Sequence, residues 1–225
     1  MPIITIRGQL GSGAPDIGKM VAARLNIDYI DREIIAETAA RLNYPEQKIE
    51  KQEMPPATLF KRIKDALEHS YPLITGAGGI NMPVMYLPPS DIPLDDSSYI
   101  AGLESTIKKL AEGRSIVMRG RGSQFILKDY PEALHVLVIA PLETRLARVM
   151  ASMQLDEKAA RHEINNFDGS RHEFIKRYFK AELEDPMNYD LVLNTKRFNF
   201  EEAAAIIISS SSIRKQPPVR KNAKV

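Results

Sequence analysis

The hydrophobic positions along this chain change period at short intervals, and that alternation lays out its elements. Ile3 to Ile6 is a run of apolar residues with β-branched neighbours, which predicts a short buried strand. From Asp16 the period becomes helical, with Ile17, Met20, Val21 and Leu25 at i, i+3, i+4 and i+8. Pro15 suits a first helical turn, where its missing N–H costs nothing, and Asn26 suits the left-handed residue after a helix end. Ile27 to Ile30 predicts a second strand ending at Asp31. Helical stripes follow over Arg32 to Leu42 and over Ala57 to Ser70, the second built on Leu59, Ile63, Ala66 and Leu67. Residues 71–96 hold no period and gather prolines with Gly76, Gly78 and Gly79; so long a connection inside a compact domain is a functional or flexible loop.

The second half is more regular. Ser97 opens a helix with Ile100, Leu103, Ile107 and Leu110 inward, closed by Gly113. Ser115 to Met118 predicts a strand, followed at once by Arg119-Gly120-Arg121-Gly122. Leu134 to Ile139 is the next strand, and Leu142 to Met153 a helix carrying Arg145 and Arg148. Asp156 to Asn166 and Gly169 to Leu183 read as two polar helices. Tyr189 to Leu193 is a last strand and Phe200 to Ile208 a last helix. From Ser209 four serines and a basic run end the apolar period, which predicts a disordered tail over 209–225. Five short strands separated by helices predict an α/β fold with a parallel sheet covered on both faces. Ligands of such sheets bind at the carboxyl ends of the strands.

Composition narrows the function classes. The chain has 225 residues, 44% hydrophobic and 27% charged, an ordinary globular balance with mass for one good core. It lacks cysteine, which excludes disulfides, thiolate zinc sites and a cysteine nucleophile. The longest apolar runs fall far short of the ~18 residues of a membrane span, and no signal-peptide pattern precedes the first strand, so a cytoplasmic location is expected. A net charge of +2 is too small to make nucleic acid the main partner. The basic tail is the one stretch suited to an acidic partner such as RNA. The histidines show no metal-ligand spacing.

The chemistry-bearing stretch lies between the first strand and first helix, where Gly8, Gly11, Ser12 and Gly13 precede Ala14. Glycines let successive backbone N–H groups converge on an anion, and the helix N-terminus adds partial positive charge. The usual phosphate loop is G-x-x-x-x-G-K-[ST]. Counted from Gly8, Ala14 holds the lysine position and Pro15 the hydroxyl position. A second register, Gly13 to Gly18 with Lys19, keeps the lysine but places Met20 at the hydroxyl and unwinds a turn of helix. The first register is adopted, with Lys19 a solvated helix residue. A Gly13→Val substitution is then expected to crowd the cradle and leave the fold intact.

In this order and spacing, ITIRGQLGSG, NIDYIDREII, SIVMRGRGSQFIL, HVLVIAPLETRLARV, FDGSR at Phe167 to Arg171, and NYDLVLNT at Asn188 to Thr195 resemble the cytidylate-kinase-like family of P-loop nucleoside monophosphate kinases. The resemblance runs from Ile3 to about Ile208. It implies a P-loop NTPase-type three-layer sandwich with a five-stranded parallel sheet. A kinase-like domain would span 1–208, with a nucleoside-monophosphate-binding insertion at about 43–96 and a helical lid at about 154–183. It also implies phosphoryl transfer from ATP with Mg²⁺ to CMP or a related nucleotide, a small-molecule partner and no membrane.

Carried over by residue, the resemblance makes Gly8, Gly11, Ser12, Gly13 and Ala14 the cofactor loop. Asp31 and Arg121 would hold the acceptor, and Arg145, Arg161 and Arg171 would serve as lid or lid-base arginines partnered by Asp168. Arginine forks suit a loose transition state that needs positioning and charge. The chain departs from the pattern at Ala14 and Pro15, and again at Gly122, where an Asp is common in the wider class. No residue is assigned as a metal ligand. Two readings of the function stay open, an active kinase and a binding or regulatory module without turnover. Bland roles stay open too: Asp31 as a helix N-cap, and Asp168 with Arg171 as a surface ion pair.

Overall fold

A computed structural model describes residues 2–31 and 97–214. The helices expected over 32–70, the connection at 71–96 and the tail beyond 214 lie outside the described residues. In chain order the elements are β1 (Ile3–Gly8), α1 (Ala14–Leu25), β2 (Asp28–Ile30), α2 (Ser97–Ala111), β3 (Ile116–Arg119), α3 (Ser123–Ile126), β4 (Ala133–Ile139), α4 (Leu142–Met153), α5 (Glu157–Phe179), β5 (Leu191–Asn194) and α6 (Phe200–Arg214). A 3₁₀ turn, Pro186–Asn188, precedes β5. Five parallel strands lie in the order β2-β3-β1-β4-β5, so β1 is central and every strand points its carboxyl end the same way.

The sheet has covers on both faces, as the continuous apolar strands require. Ile4 and Ile6 of β1 face Ile17 and Val21 of α1 and Ala203, Ala204 and Ile207 of α6. Ile3, on the opposite face, packs with Leu103, Ile107 and Leu110 of α2 and with Phe174 and Ile175 of α5. A smaller cluster of Leu146, Val149, Ala160 and Ile164 joins α4 to the start of α5, with Leu10 against it. Asn26 caps α1 in the left-handed conformation (φ 51°) and donates to the carbonyls of Ala22 and Ala23, as the pattern predicts. Among the described residues, no helix is long and apolar enough to cross a membrane.

Two expectations change. The two polar helices over 156–183 are one helix, α5, running through Phe167, Asp168 and Gly169. A mid-helix glycine costs about 1 kcal/mol, less than the anchoring of Ile164 before it and Phe174 and Ile175 after it. Gly169 is exposed and a Cβ there would meet nothing within 4 Å. Gly169→Ala is therefore expected to raise stability by ~0.5–1 kcal/mol. A denaturation midpoint unchanged or lowered counts against that account.

The last helix also continues six residues past Ile208, taking in all four serines before it reaches Arg214. The Ser211 and Ser212 hydroxyls both donate to the Ile208 carbonyl, at 2.8 and 3.1 Å. Such back-bonding lets serine sit inside a helix, and Ser211 is buried one turn past Ile207 on the packed face.

Candidate functional site

The site starts where β1 ends. Gly8 closes the strand, and a Cβ there would run into Ala14 and the Ser12 hydroxyl. Gly11 (φ +80°) and Gly13 (φ +88°) adopt the left-handed backbone that a side chain opposes. Both are also closed in by packing. A Cβ at Gly11 would come within 2.6 Å of the Arg145 carbonyl, and one at Gly13 would enter the Phe200 ring at the start of α6. The glycines thus let the loop lie flat between α4 and α6. Ile17 N donates to the Gly13 carbonyl at 3.0 Å, so α1 begins directly from the loop.

The loop's carbonyls are held from outside. Arg145 donates to the Leu10 carbonyl (3.2 Å), and Arg148 to that of Gly11 (3.2 Å). The Thr195 hydroxyl, just past β5, donates to the Ser12 carbonyl (2.8 Å) and accepts from Arg148 Nη1 (2.8 Å). Asp168 on α5 joins two of these holders: its Oδ1 accepts from Leu10 N at 3.1 Å and its Oδ2 from Arg145 Nη1 at 2.6 Å. With Arg145 and Asp168 side chains 9% and 15% exposed, this is a largely desolvated, charge-assisted clamp.

Part of the loop's donor set is unpaired. Among the described residues the amides of Gly11, Gly13 and Ala14 take no protein acceptor. The buried Ser12 hydroxyl likewise has no hydrogen-bond partner among the described residues. An orphaned buried hydroxyl, inward amides and the start of α1 together suit a phosphate.

A second group of charges stands at the carboxyl ends of β2 and β3. Asp31, buried at the end of β2, lies 4.0 Å from Arg119 of β3. Gly120, Arg121 and Gly122 then follow in left-handed conformations, with φ of 84°, 57° and 69°. Positive φ at a non-glycine residue marks a constrained turn, and it sets Arg121 beside a small cleft lined also by Ile30, Met118, Arg119 and Ser123. On the opposite face of β2, burial raises the Tyr29 phenol; Arg119 and Asp31 act on it in opposing directions.

The structure brings Gly8, Gly11, Ser12, Gly13, Ala14, Arg145 and Asp168 into one assembly, and Asp31 and Arg121 to neighbouring strand ends. It separates Arg161, which is exposed and pairs with Glu157 one turn away at 2.9 Å. Arg171 lies over the Phe167 ring at 3.2 Å and donates to the Phe167 carbonyl; the carboxylate of Asp168 goes to Arg145, so the Asp168–Arg171 surface pair is not the arrangement found. Sequence reasoning missed the loop-holding roles of Arg148 and Thr195. The available signal was the i, i+3 spacing of Arg145 and Arg148, which puts both on one face of α4.

Arg7 drew no notice in the sequence. It sits in a strand buried along its whole length, directly before Gly8. Nearby, Tyr189 donates to the Leu183 carbonyl (2.5 Å) and accepts from Gln124 (3.3 Å); burial pushes its phenol up to about 12. Gln9 donates to Glu184 at 3.1 Å.

A parallel sheet whose central strand runs through a glycine loop into a helix defines an α/β phosphate-loop protein. A family model described as the cytidylate kinase-like family matches residues 3–197, and the chain belongs to that family. A structure of an uncharacterised protein from Eubacterium ventriosum is similar over 94% of this chain and 99% of that one, with TM-score 0.65 and 20% identity. Shikimate kinase from Acinetobacter baumannii aligns over 96% of both chains with TM-score 0.47 and 12% identity. A uronate isomerase from Corynebacterium glutamicum is 33% identical over 101 residues, 45% of this chain, and the match spans only 19% of that protein.

Proposed function

We propose that this protein is a phosphotransferase of the nucleoside monophosphate kinase type, carrying a phosphoryl group from ATP to CMP or a related nucleotide. The observation that carries the reading is the loop of Gly8 to Ala14, with the carbonyls of Leu10, Gly11 and Ser12 held by side chains and the amides of Gly11, Gly13 and Ala14 and the Ser12 hydroxyl left as donors among the described residues. The donor's phosphates lie along that loop. The acceptor lies between Asp31 and Arg121, at the strand ends beside it. An oxygen of the acceptor phosphate bonds to the terminal phosphorus of the donor as the bond to the bridging oxygen breaks; a nucleoside diphosphate leaves and a second one forms. Arg145 and Asp168 act by holding the loop: Arg145 Nη1 and both Asp168 carboxylate oxygens are engaged with it and with each other.

The residues fit the donor's phosphates better than its Mg²⁺. Ala14 and Pro15 offer no side-chain oxygen beside the cradle. Asp168 is committed to Arg145 and Leu10, and the described residues include no cluster of three or more His, Asp or Glu that could hold a metal. Mg²⁺ would come held by the nucleotide's phosphates and water, as it commonly does, and no step is assigned to a protein-bound ion. This shortage favours one second reading, a kinase-like binding or regulatory module that holds a nucleotide without turnover.

A coupled assay against a panel of nucleoside monophosphates, with ATP and GTP as donors, separates the two when joined to calorimetric titration of the same panel. Turnover of CMP or a close relative is expected. Binding without transfer to any acceptor selects the module. Lys19 is exposed on α1, so Lys19→Ala is expected to keep wild-type turnover. A dead Lys19→Ala would move the loop to the Gly13 to Lys19 register. The cytoplasm is the location that accompanies this reading.

A further inference from the structure

We infer that Arg7 is a phosphate ligand of this site, the cation that meets the transferred group where the loop lacks its lysine. The inference rests on the phosphoryl-transfer reading above and adds a residue to it.

Arg7 is 6% exposed, and its hydrogen bond goes to the carbonyl of its own neighbour, Gly8. No described carboxylate pairs with it: Asp168 is taken by Arg145 at 2.6 Å, and Glu184 accepts from Gln9 and stands 3.9 Å from His172. Both carboxylates nevertheless act on Arg7 electrostatically, as do the Tyr189 phenol and, in the opposite sense, the Arg119 guanidinium. The Gly8 carbonyl that Arg7 Nη1 contacts sets the guanidinium at the start of the loop. Burial lowers its pKa more than any neighbour raises it, so the fold keeps this cation at a net cost.

A structural arginine in a parallel strand would be expected to fork onto a carboxylate or several carbonyls. Among the described residues this one leaves most of its donors without a protein acceptor, one residue before the glycine loop. Ile or Leu would serve β1 better as core. A guanidinium fork on a phosphate accounts for both the position and the unused donors. Ala14 leaves the cradle without the usual side-chain cation. Arg7 reaches the site from the strand instead of from the helix.

The test uses the full chain with inorganic pyrophosphate and ATP as probes, titrated calorimetrically against wild type, Arg7→Met and Arg7→Lys, with thermal unfolding of each protein without ligand. Arg7→Met is expected to weaken pyrophosphate and ATP binding at least ~10-fold, the scale of a lost charged hydrogen bond, while its Tm holds or rises because a buried charge has gone. Arg7→Lys is expected to recover part of the affinity. A fall in Tm with wild-type affinity in the folded fraction would make Arg7 a structural residue and overturn the inference, leaving the transfer reading in place. Lost affinity in Arg7→Met, together with a wild type that binds but transfers nothing, supports Arg7 and removes the kinase reading. A wild type that binds neither probe overturns both.

Discussion

Replacing Gly13 by valine is expected to cost the protein much of its stability as well as its phosphate cradle. The sequence alone suggests a substitution confined to the loop, with the fold intact. The structure contradicts that expectation, because the space beside Gly13 is filled by the Phe200 ring and its φ is +88°. A β-branched residue at such a φ costs about 1–3 kcal/mol, and forcing a side chain into packed space costs about 1–3 kcal/mol more. Together these approach the lower end of the ~5–15 kcal/mol that holds a domain folded. Denaturant unfolding of Gly13→Val and Gly13→Ala checks this, since alanine keeps the backbone strain and most of the contact at smaller volume. A wild-type midpoint for the valine variant would show that Phe200 moves aside freely and that the loop is not locked against α6.

Asp168→Ala is expected to be the most damaging single loss of charge. Arg145 would remain 8% exposed with its carboxylate partner gone, and the Leu10 amide would lose its acceptor. Breaking a buried pair from one side costs about 3–5 kcal/mol. Asp168→Asn should fall in between, since its carbonyl can still accept from Leu10 while its amide group opposes Arg145. Equilibrium unfolding reads the stability, and hydrogen exchange at the Leu10 and Ser12 amides reads the loop directly. If both variants unfold like wild type, the clamp is a surface pair after all. If stability drops while the loop amides stay protected, α5 rather than the loop carries the loss.

Both variants would also lower nucleotide affinity, but for reasons that differ from that of Arg7→Met. Gly13→Val and Asp168→Ala act through the shape of the cradle, so affinity and stability should fall together. Arg7→Met is expected to lower affinity without lowering stability. Parallel loss of both quantities in all three variants would make Arg7 one more part of the scaffold.

Much of the fold was legible in the pattern of apolar residues. The alternation from strand to helix fixed the α/β class, the five strands and the start of α1 at the loop, because burial on both sheet faces demands continuous apolar strands. The helix over Leu142 to Met153 and the left-handed cap at Asn26 followed from local rules alone. Where the pattern misled, it did so at polar stretches. Gly169 and the serines after Ile208 look like breaks, yet tertiary anchoring of Phe174, Ile175 and Ser211 outweighs propensities of about 1 kcal/mol or less per residue.

The candidate site divides the same way. Glycines, a serine and a helix start lie together in sequence, so the loop was visible there. Its holders come from α4, α5 and the residue after β5, and an isolated Arg148 or Thr195 carries no local mark of that duty. Arg7 was hidden for a related reason. A charge in an apolar strand gains its meaning from what surrounds it, and only the burial of Arg7, with its one hydrogen bond to the Gly8 carbonyl among the described residues, showed a cation with so few protein partners. Glycine spacing and the apolar period were enough to mark where the loop begins and which class of sheet carries it. The tertiary structure decided which distant side chains hold that loop, because hydrogen bonds and desolvated charges depend on distances that spacing along the chain does not encode.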